Sequence, residues 1–241
     1  MTPPLIALEE HFISGFFEIT DDLHTNVPGQ SQEKLKDIGE GRIKDLDNGA
    51  TRLQVISHIA APTPVQACID SNDKLAAACR KYPDRLAGFA TLPMQDPQAA
   101  AQELERAVTS LGFLGALINN TCEDGSMYDD EKYWPVFERA TELDVPVYIH
   151  PSYPPDNMTS HYKGNFAPMA AIMMSTAGFG WHAECGLQVL RLFASGLFDR
   201  FPKLKLVIGH MGELLPYTLD RTIHTSRHWG KMERDLRTVW R

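Results

Sequence analysis

The sequence predicts an α/β fold built on parallel strands, and three features predict it. Short, nearly continuous apolar runs alternate with helical patterns, as expected of strands covered on both faces. Strands and helices follow one another through short connections, the arrangement of right-handed β-α crossovers. Polar residues gather at the C-terminal ends of several runs, which is where a (β/α)8 barrel keeps its active site. No G-x-G-x-x-G follows the first run, so a dinucleotide-binding open sheet loses its main support.

Each element has its own signal. The expected strands are Leu5–Glu10, Leu53–His58, Leu86–Leu92, Gly115–Asn119, Val145–His150 and Lys205–His210. Ile6, Ala7 and Leu8 read as the buried start of the first. Between the strands lie helices. Ser71 to Arg80 is closed by Tyr82-Pro83. Asp96-Pro97 is an N-cap followed by Pro at the first helical position, opening a helix to Leu111 that stops before Gly112. Tyr133–Leu143 and Gly186–Phe198 are two more. Ile13–Arg42 and Pro151–Gly180 read as long loops, the usual form of lids and binding loops. The second is rich in Met, aromatic residues and Pro, which suits an apolar substrate or a subunit contact. At roughly thirty residues per βα unit, two further units would need about sixty residues beyond Arg241. The expectation is therefore one domain over residues 1–241, a TIM-type barrel with about six of its βα units.

Composition narrows the partners. The formal net charge of −8 argues against nucleic acid and anionic membranes. Hydrophobic residues at 43% and charged residues at 22% are ordinary for a globular domain, so a packed core is expected. No run is long and apolar enough to span a bilayer, and no signal peptide is recognisable. Cys68, Cys79, Cys122 and Cys185 are scattered, which suits thiols in a reducing cytosol. The sequons at Asn119 and Asn157 are then chance matches.

The chemistry concentrates at strand ends. Glu9 and His11 are two apart, so they share one face of the first strand, and Glu10 points to the other. A carboxylate buried without a partner costs several kcal/mol, which a divalent cation removes; a structural Glu–His hydrogen bond would explain the pair equally well. His150, ending "VPVYIHP", adds a third N/O donor at the same rim. Three ligands from separate strands, with a position left for water or substrate, describe a catalytic divalent site. His210 in "LVIGHMGE" is flanked by Gly209 and Gly212, and Glu213 stands three residues on to orient its ring. An imidazole held by a carboxylate is a positioned proton shuttle or charge stabiliser. Arg221 could grip a carboxylate bidentately or form a surface ion pair. His58 could line the pocket. His161, His182, His224 and His228 lack a strand-end context.

"ALEEHF", "ELDVPVYIHP", "ASGLFDRFPKLKLVIGHMGE" and "LPYTLDR" together resemble the amidohydrolase-superfamily decarboxylases. This group includes the 2,3-dihydroxybenzoate, γ-resorcylate, salicylate and 6-methylsalicylate decarboxylases and is related to aminocarboxymuconate-semialdehyde decarboxylase. The E-x-H of the first strand resembles the phenolic-acid branch. The resemblance implies a (β/α)8 barrel, one divalent metal (Zn or Mn), and non-oxidative decarboxylation of a hydroxylated aromatic acid by a cytoplasmic homo-oligomer, dimer or tetramer, serving aromatic catabolism or secondary metabolism. It makes Glu9, His11 and His150 the metal ligands, His210 and Glu213 the catalytic pair, and Arg221 and His58 substrate contacts. Asp220 replaces the aromatic residue of the group's W-R motif, and His58 stands where some members carry a Tyr. The group's last strand carries a metal-binding Asp in an S-x-D-x-P context, which residues 1–241 do not contain. The readings left open are a decarboxylase, a lactonase-like hydrolase of the same superfamily, or a truncated, catalytically impaired homologue. A partner chain could also complete the barrel.

Overall fold

The computed structural model describes residues 4–17, 29–61, 63–155, 158–230 and 232–240. Asn157 and residues 18–28 of the first expected loop lie outside them, and the described remainder of that loop holds helical segments instead. The chain divides into two compact units, residues 1–117 and 118–241. Both carry parallel strands alternating with helices, so the fold class is α/β with the strand–helix succession of a TIM-type (β/α)8 barrel. No described helix is long and apolar enough to cross a membrane.

The first unit holds β1 (Leu5–Phe12), α1 (Gly29–Lys36), α2 (Glu40–Asn48), β2 (Thr51–His58), α3 (Val65–Lys81), β3 (Leu86–Gly88), β4 (Ala90–Thr91), α4 (Pro97–Thr109) and the start of β5 (Ala116–Asn119). β1 and β3 flank β2, and β4 pairs with Ala116 and Leu117 of β5. The expected strand Leu86–Leu92 is broken at Phe89. The Phe89 N–H turns to Ile56 O, whereas the Ala90 N–H turns to Gly115 O, so the ladder changes sides between neighbouring residues. Gly88 is needed just before that point: a Cβ there would come within 2.6 Å of the Phe113 ring.

Asp96 caps α4 as expected, accepting from the Ala99 N–H at 3.1 Å, with Pro97 as the first helical residue. The helix buries Ala100, Ala101, Leu104 and Ala107, a stripe at helical spacing. Asn72 of α3 accepts from the Thr91 N–H at 2.9 Å and donates to Thr91 O at 3.0 Å, so α3 supplies edge hydrogen bonds that the two-residue β4 cannot make alone. The same amide donates to buried Glu103, whose carboxylate is gripped by Arg106 at 2.8 and 2.9 Å. A buried carboxylate is tolerable when it is satisfied in this way.

β1 departs from expectation in three respects. It runs on to Phe12, so His11 lies inside the strand. Leu5, Ile6 and Leu8 are 54%, 61% and 51% exposed rather than buried, because β1 is the end strand of its three-stranded sheet. The register also slips: Ala7 faces Gln54 while Glu10 faces Ile56, so three steps on β1 match two on β2. Leu8 and Glu9 occupy that bulge, and a bulge re-aims side chains.

The second unit holds α5 (Trp134–Glu142), β6 (Pro146–His150), α6 (Thr159–Tyr162), α7 (Pro168–Ser175), α8 (Gly180–Ala194), α9 (Leu197–Arg200), β7 (Lys205–Ile208), α10 (Leu215–Ser226) and α11 (Leu236–Val239). β6 and β7 pair in parallel from Pro146/Lys205 to Ile149/Ile208. The expected loop Pro151–Gly180 contains two helices, and α8 starts at Gly180, six residues before the expected Gly186. The turn between α7 and α8 explains the early start. The Gly178 N–H donates to Met173 O at 2.8 Å, and a Cβ at Gly178 would lie 2.5 Å from that same oxygen. Only glycine lets the chain fold back so closely.

Candidate active site

In the first unit the site residues stand at the ends of β1 and β2. His11 faces Ser57 across the ladder, and its Nδ1 lies 3.2 Å from Ser57 Oγ. Glu9 is half-buried in the bulge. Arg42 reaches in from α2, donating through Nη2 to His11 O at 2.8 Å, through Nε to Asp37 O at 2.8 Å, and through Nη1 to Gln54 Oε1 at 3.2 Å. Burial pulls its guanidinium below the ordinary range, with Glu10, Asp37 and Asp45 acting against that pull. Burial pushes Glu10 upward; Arg42 opposes the shift and Glu9 adds to it. An open cavity of about 970 Å³ is lined here by Glu9, Glu10, His11, Arg42 and Gln54, among others.

His58, at the end of β2, is 2% exposed. Its Nε2 accepts from the Ser14 N–H at 3.0 Å and its Nδ1 lies 2.9 Å from Ile59 O, so Nδ1 carries the proton and the ring is neutral. Its faces meet Phe12 and Phe17, with centroids at 5.3 and 4.3 Å. Both nitrogens are committed to the backbone, so the ring holds the segment leaving β1.

In the second unit His150 ends β6, buried, with its ring 5.7 Å from that of His210. His210 is not in the strand. β7 stops at Ile208, and the following four-residue turn carries His210. Backbone φ is positive at four successive residues: His210 (45°), Met211 (61°), Gly212 (85°) and Glu213 (56°). Three of these are not glycine, which marks a strained, functionally suggestive segment. Glu213 is 3% exposed. Its Oε1 lies 2.9 Å from His210 Nδ1, the pairing that their spacing predicts.

The other Glu213 oxygen holds a residue that sequence reasoning set aside. His182, in the first turn of α8, places Nδ1 2.5 Å from Glu213 Oε2 and Nε2 3.2 Å from Ala177 O. Its ring stands edge-on to His210 at 5.4 Å. Ligand-capable atoms of His182, His210 and Glu213 lie within 4.8 Å of one another. No local pattern marks His182, because the contact joins a helix start to a turn 31 residues on. Asn120 orders the segment after β6, accepting from the N–H and hydroxyl of Ser152 at 2.8 and 2.7 Å. Arg221 is exposed on α10, while its neighbour Asp220 pairs with Arg237 at 3.2 Å. The long segment after β6 adds an apolar pocket of about 400 Å³ lined by Pro154, Tyr162, Phe166, Pro168 and Ile172.

Comparisons with known proteins show what the chain is similar to. The Amidohydrolase family model matches residues 21–235. Decarboxylase orsB of Emericella nidulans is 44% identical over 252 residues, covering 100% of this chain and 76% of the relative. The crystal structure of a dihydroxybenzoic acid decarboxylase from Polaromonas sp. JS666, with bound manganese and the inhibitor 2-nitroresorcinol, superposes with a TM-score of 0.83 at 35% identity, covering 95% of this chain and 74% of that one. A 2,6-dihydroxybenzoate decarboxylase in complex with 2,6-dihydroxybenzoate gives 0.82 at 36%, covering 96% and 76%.

Proposed function

From the premise that this chain belongs to the amidohydrolase family, we propose that it is a carboxy-lyase that removes CO2 non-oxidatively from a hydroxylated aromatic acid with the help of one divalent metal ion. The observation that carries the reading is the pairing of His210 with the buried Glu213 carboxylate, with the His210 ring 5.7 Å from that of His150.

Glu9, His11 and His150 are the proposed metal ligands. A carboxylate oxygen and two imidazoles are a donor set that suits manganese or zinc, and the half-buried Glu9 and buried His150 are poor positions for polar groups without such a role. Held by these three residues, a divalent ion would supply positive charge that offsets the charge of the substrate's oxygens. The chain's own residues do the rest. His210 has Nδ1 committed to Glu213, so Nε2 is the atom that assists proton delivery or stabilises the developing phenolate. The reaction balances simply: the ring carbon bearing the carboxylate gains a proton, the bond to the carboxylate breaks, and its electron pair restores the aromatic ring as CO2 leaves. Arg221 is proposed to hold the substrate carboxylate. His58 is proposed to shape the pocket by holding the segment that leaves β1, not by offering a nitrogen to the substrate.

The apolar segment after β6 suits a flat aromatic substrate and contact between copies, and we place the protein as a cytosolic homo-oligomer of secondary metabolism. Support for the compartment comes from four cysteine thiols, of which Cys68, Cys79 and Cys122 are pushed up by burial and so kept unreactive. The test is to incubate manganese-loaded protein with 2,6-dihydroxybenzoate and related phenolic acids. CO2 and the decarboxylated phenol are expected in equal amounts. A ring-opened acid, or no turnover across the series, overturns the reading.

A further inference from the structure

We propose that His182 is a positioning residue for His210, acting through the carboxylate they share. The proposal rests on the decarboxylase reading for its consequence but not for its geometry. The side chain of Glu213 is fully buried, and each of its oxygens meets one imidazole nitrogen: Oε1 with His210 Nδ1 at 2.9 Å, Oε2 with His182 Nδ1 at 2.5 Å. A carboxylate held at one oxygen can swing about its terminal torsion, which is broad and soft. Held at both, it cannot, and the plane it offers to His210 is set.

The backbone requires such a brace. Positive φ at His210, Met211 and Glu213 is disfavoured for residues that carry a Cβ. It persists only where the surroundings over-determine it. Met211, 91% exposed, adds little packing to the turn. The brace is His182, whose ring is itself held at both ends. Its Nε2 lies 3.2 Å from Ala177 O, and the neighbouring Trp181 N–H donates to Thr176 O at 3.2 Å, fixing the first turn of α8. The chain of contact runs from the α7–α8 turn through His182 and Glu213 to His210.

Three variants of the full chain test this: His182→Ala, His182→Asn and Glu213→Gln. Asparagine keeps a donor near the Nδ1 position. For His182→Ala, kcat should fall roughly 10- to 100-fold with KM changed less than about threefold, because a misaimed group costs turnover more than binding. His182→Asn should recover most of the loss. A second readout needs no turnover: the low-field proton resonance of the His210 Nδ1–H···Glu213 bond should be lost or shifted in His182→Ala, retained in His182→Asn, and absent in Glu213→Gln. An unmoved resonance in folded His182→Ala overturns the proposal, as does a kcat loss that asparagine fails to rescue. Should His182→Ala not fold, the asparagine variant decides alone: wild-type kcat and resonance support the brace, and loss of both overturns it. If the wild type turns over no phenolic acid yet the resonance behaves as described, the decarboxylase reading fails and the brace stands.

Discussion

Glu213 serves two imidazoles, and that sets what its replacement does. In Glu213→Gln one oxygen becomes an NH2 group that cannot accept from an N–H. One of the two Nδ1 bonds is lost and a buried donor is left facing another. We expect kcat to fall by about two orders of magnitude, the range for a displaced acid–base group, with the change read by CO2 release under saturating substrate. A second prediction concerns Cys79, whose thiol is pushed up to about 11 by burial, against a small opposing effect of Arg80. Its thiolate at pH 8 is scarcer than that of an ordinary thiol with pKa near 8.5 by roughly a hundredfold, so alkylation in the native protein should be slow and become fast on unfolding. The folded pKa is raised. Its contribution to stability is therefore complete below about pH 8.5 and is lost as pH rises toward 11. Denaturant melts of wild type and Cys79→Ala across that window check the sign. At this scale the pairing of His210 with Glu213 was legible, because three residues separate them in one segment. The part played by His182 was not, because nothing within its own helix requires it.

At the scale of elements, local chemistry was reliable where it acts locally. Asp96 and Pro97 start α4 as their types dictate. Removing the cap by Asp96→Ala should cost about 1 kcal/mol, measured as a fall in the denaturant midpoint at unchanged m-value. The segment after β6 is the counter-example. Its Pro and Gly residues read as a loop, yet α7 forms within it and buries none of its residues. Met169 and Met173 are exposed, and Phe166 and Phe179 near it are too. A helix apolar on every side belongs in a packed environment, and the proposed contact between copies would supply one. Met169→Lys with Met173→Lys should reduce the mass measured by light scattering. An unchanged mass would separate α7 from oligomerisation.

For the molecule as a whole, we propose that residues 1–241 melt as one domain, although they form two compact units. Calorimetry should show one transition, and two resolved transitions would overturn this. Removing metal with a chelator should abolish turnover and lower Tm, since an ion bound only to the native state stabilises by about 4 kcal/mol at a thousandfold excess over its Kd. Manganese should restore both.

What the sequence alone determined was most of what repeats or lies close along the chain. Apolar runs and helical stripes specified alternating parallel strands and helices, and the short motifs carried the resemblance to the family. Tertiary structure decided the rest, because it depends on contacts between distant segments. The bulge at Leu8 and Glu9 arises from the register between β1 and β2. The exposure of Leu5, Ile6 and Leu8 follows from the place of β1 at the end of its sheet. The recruitment of His182 depends on where the start of α8 meets the strained turn after β7, and no pattern within either segment encodes that meeting.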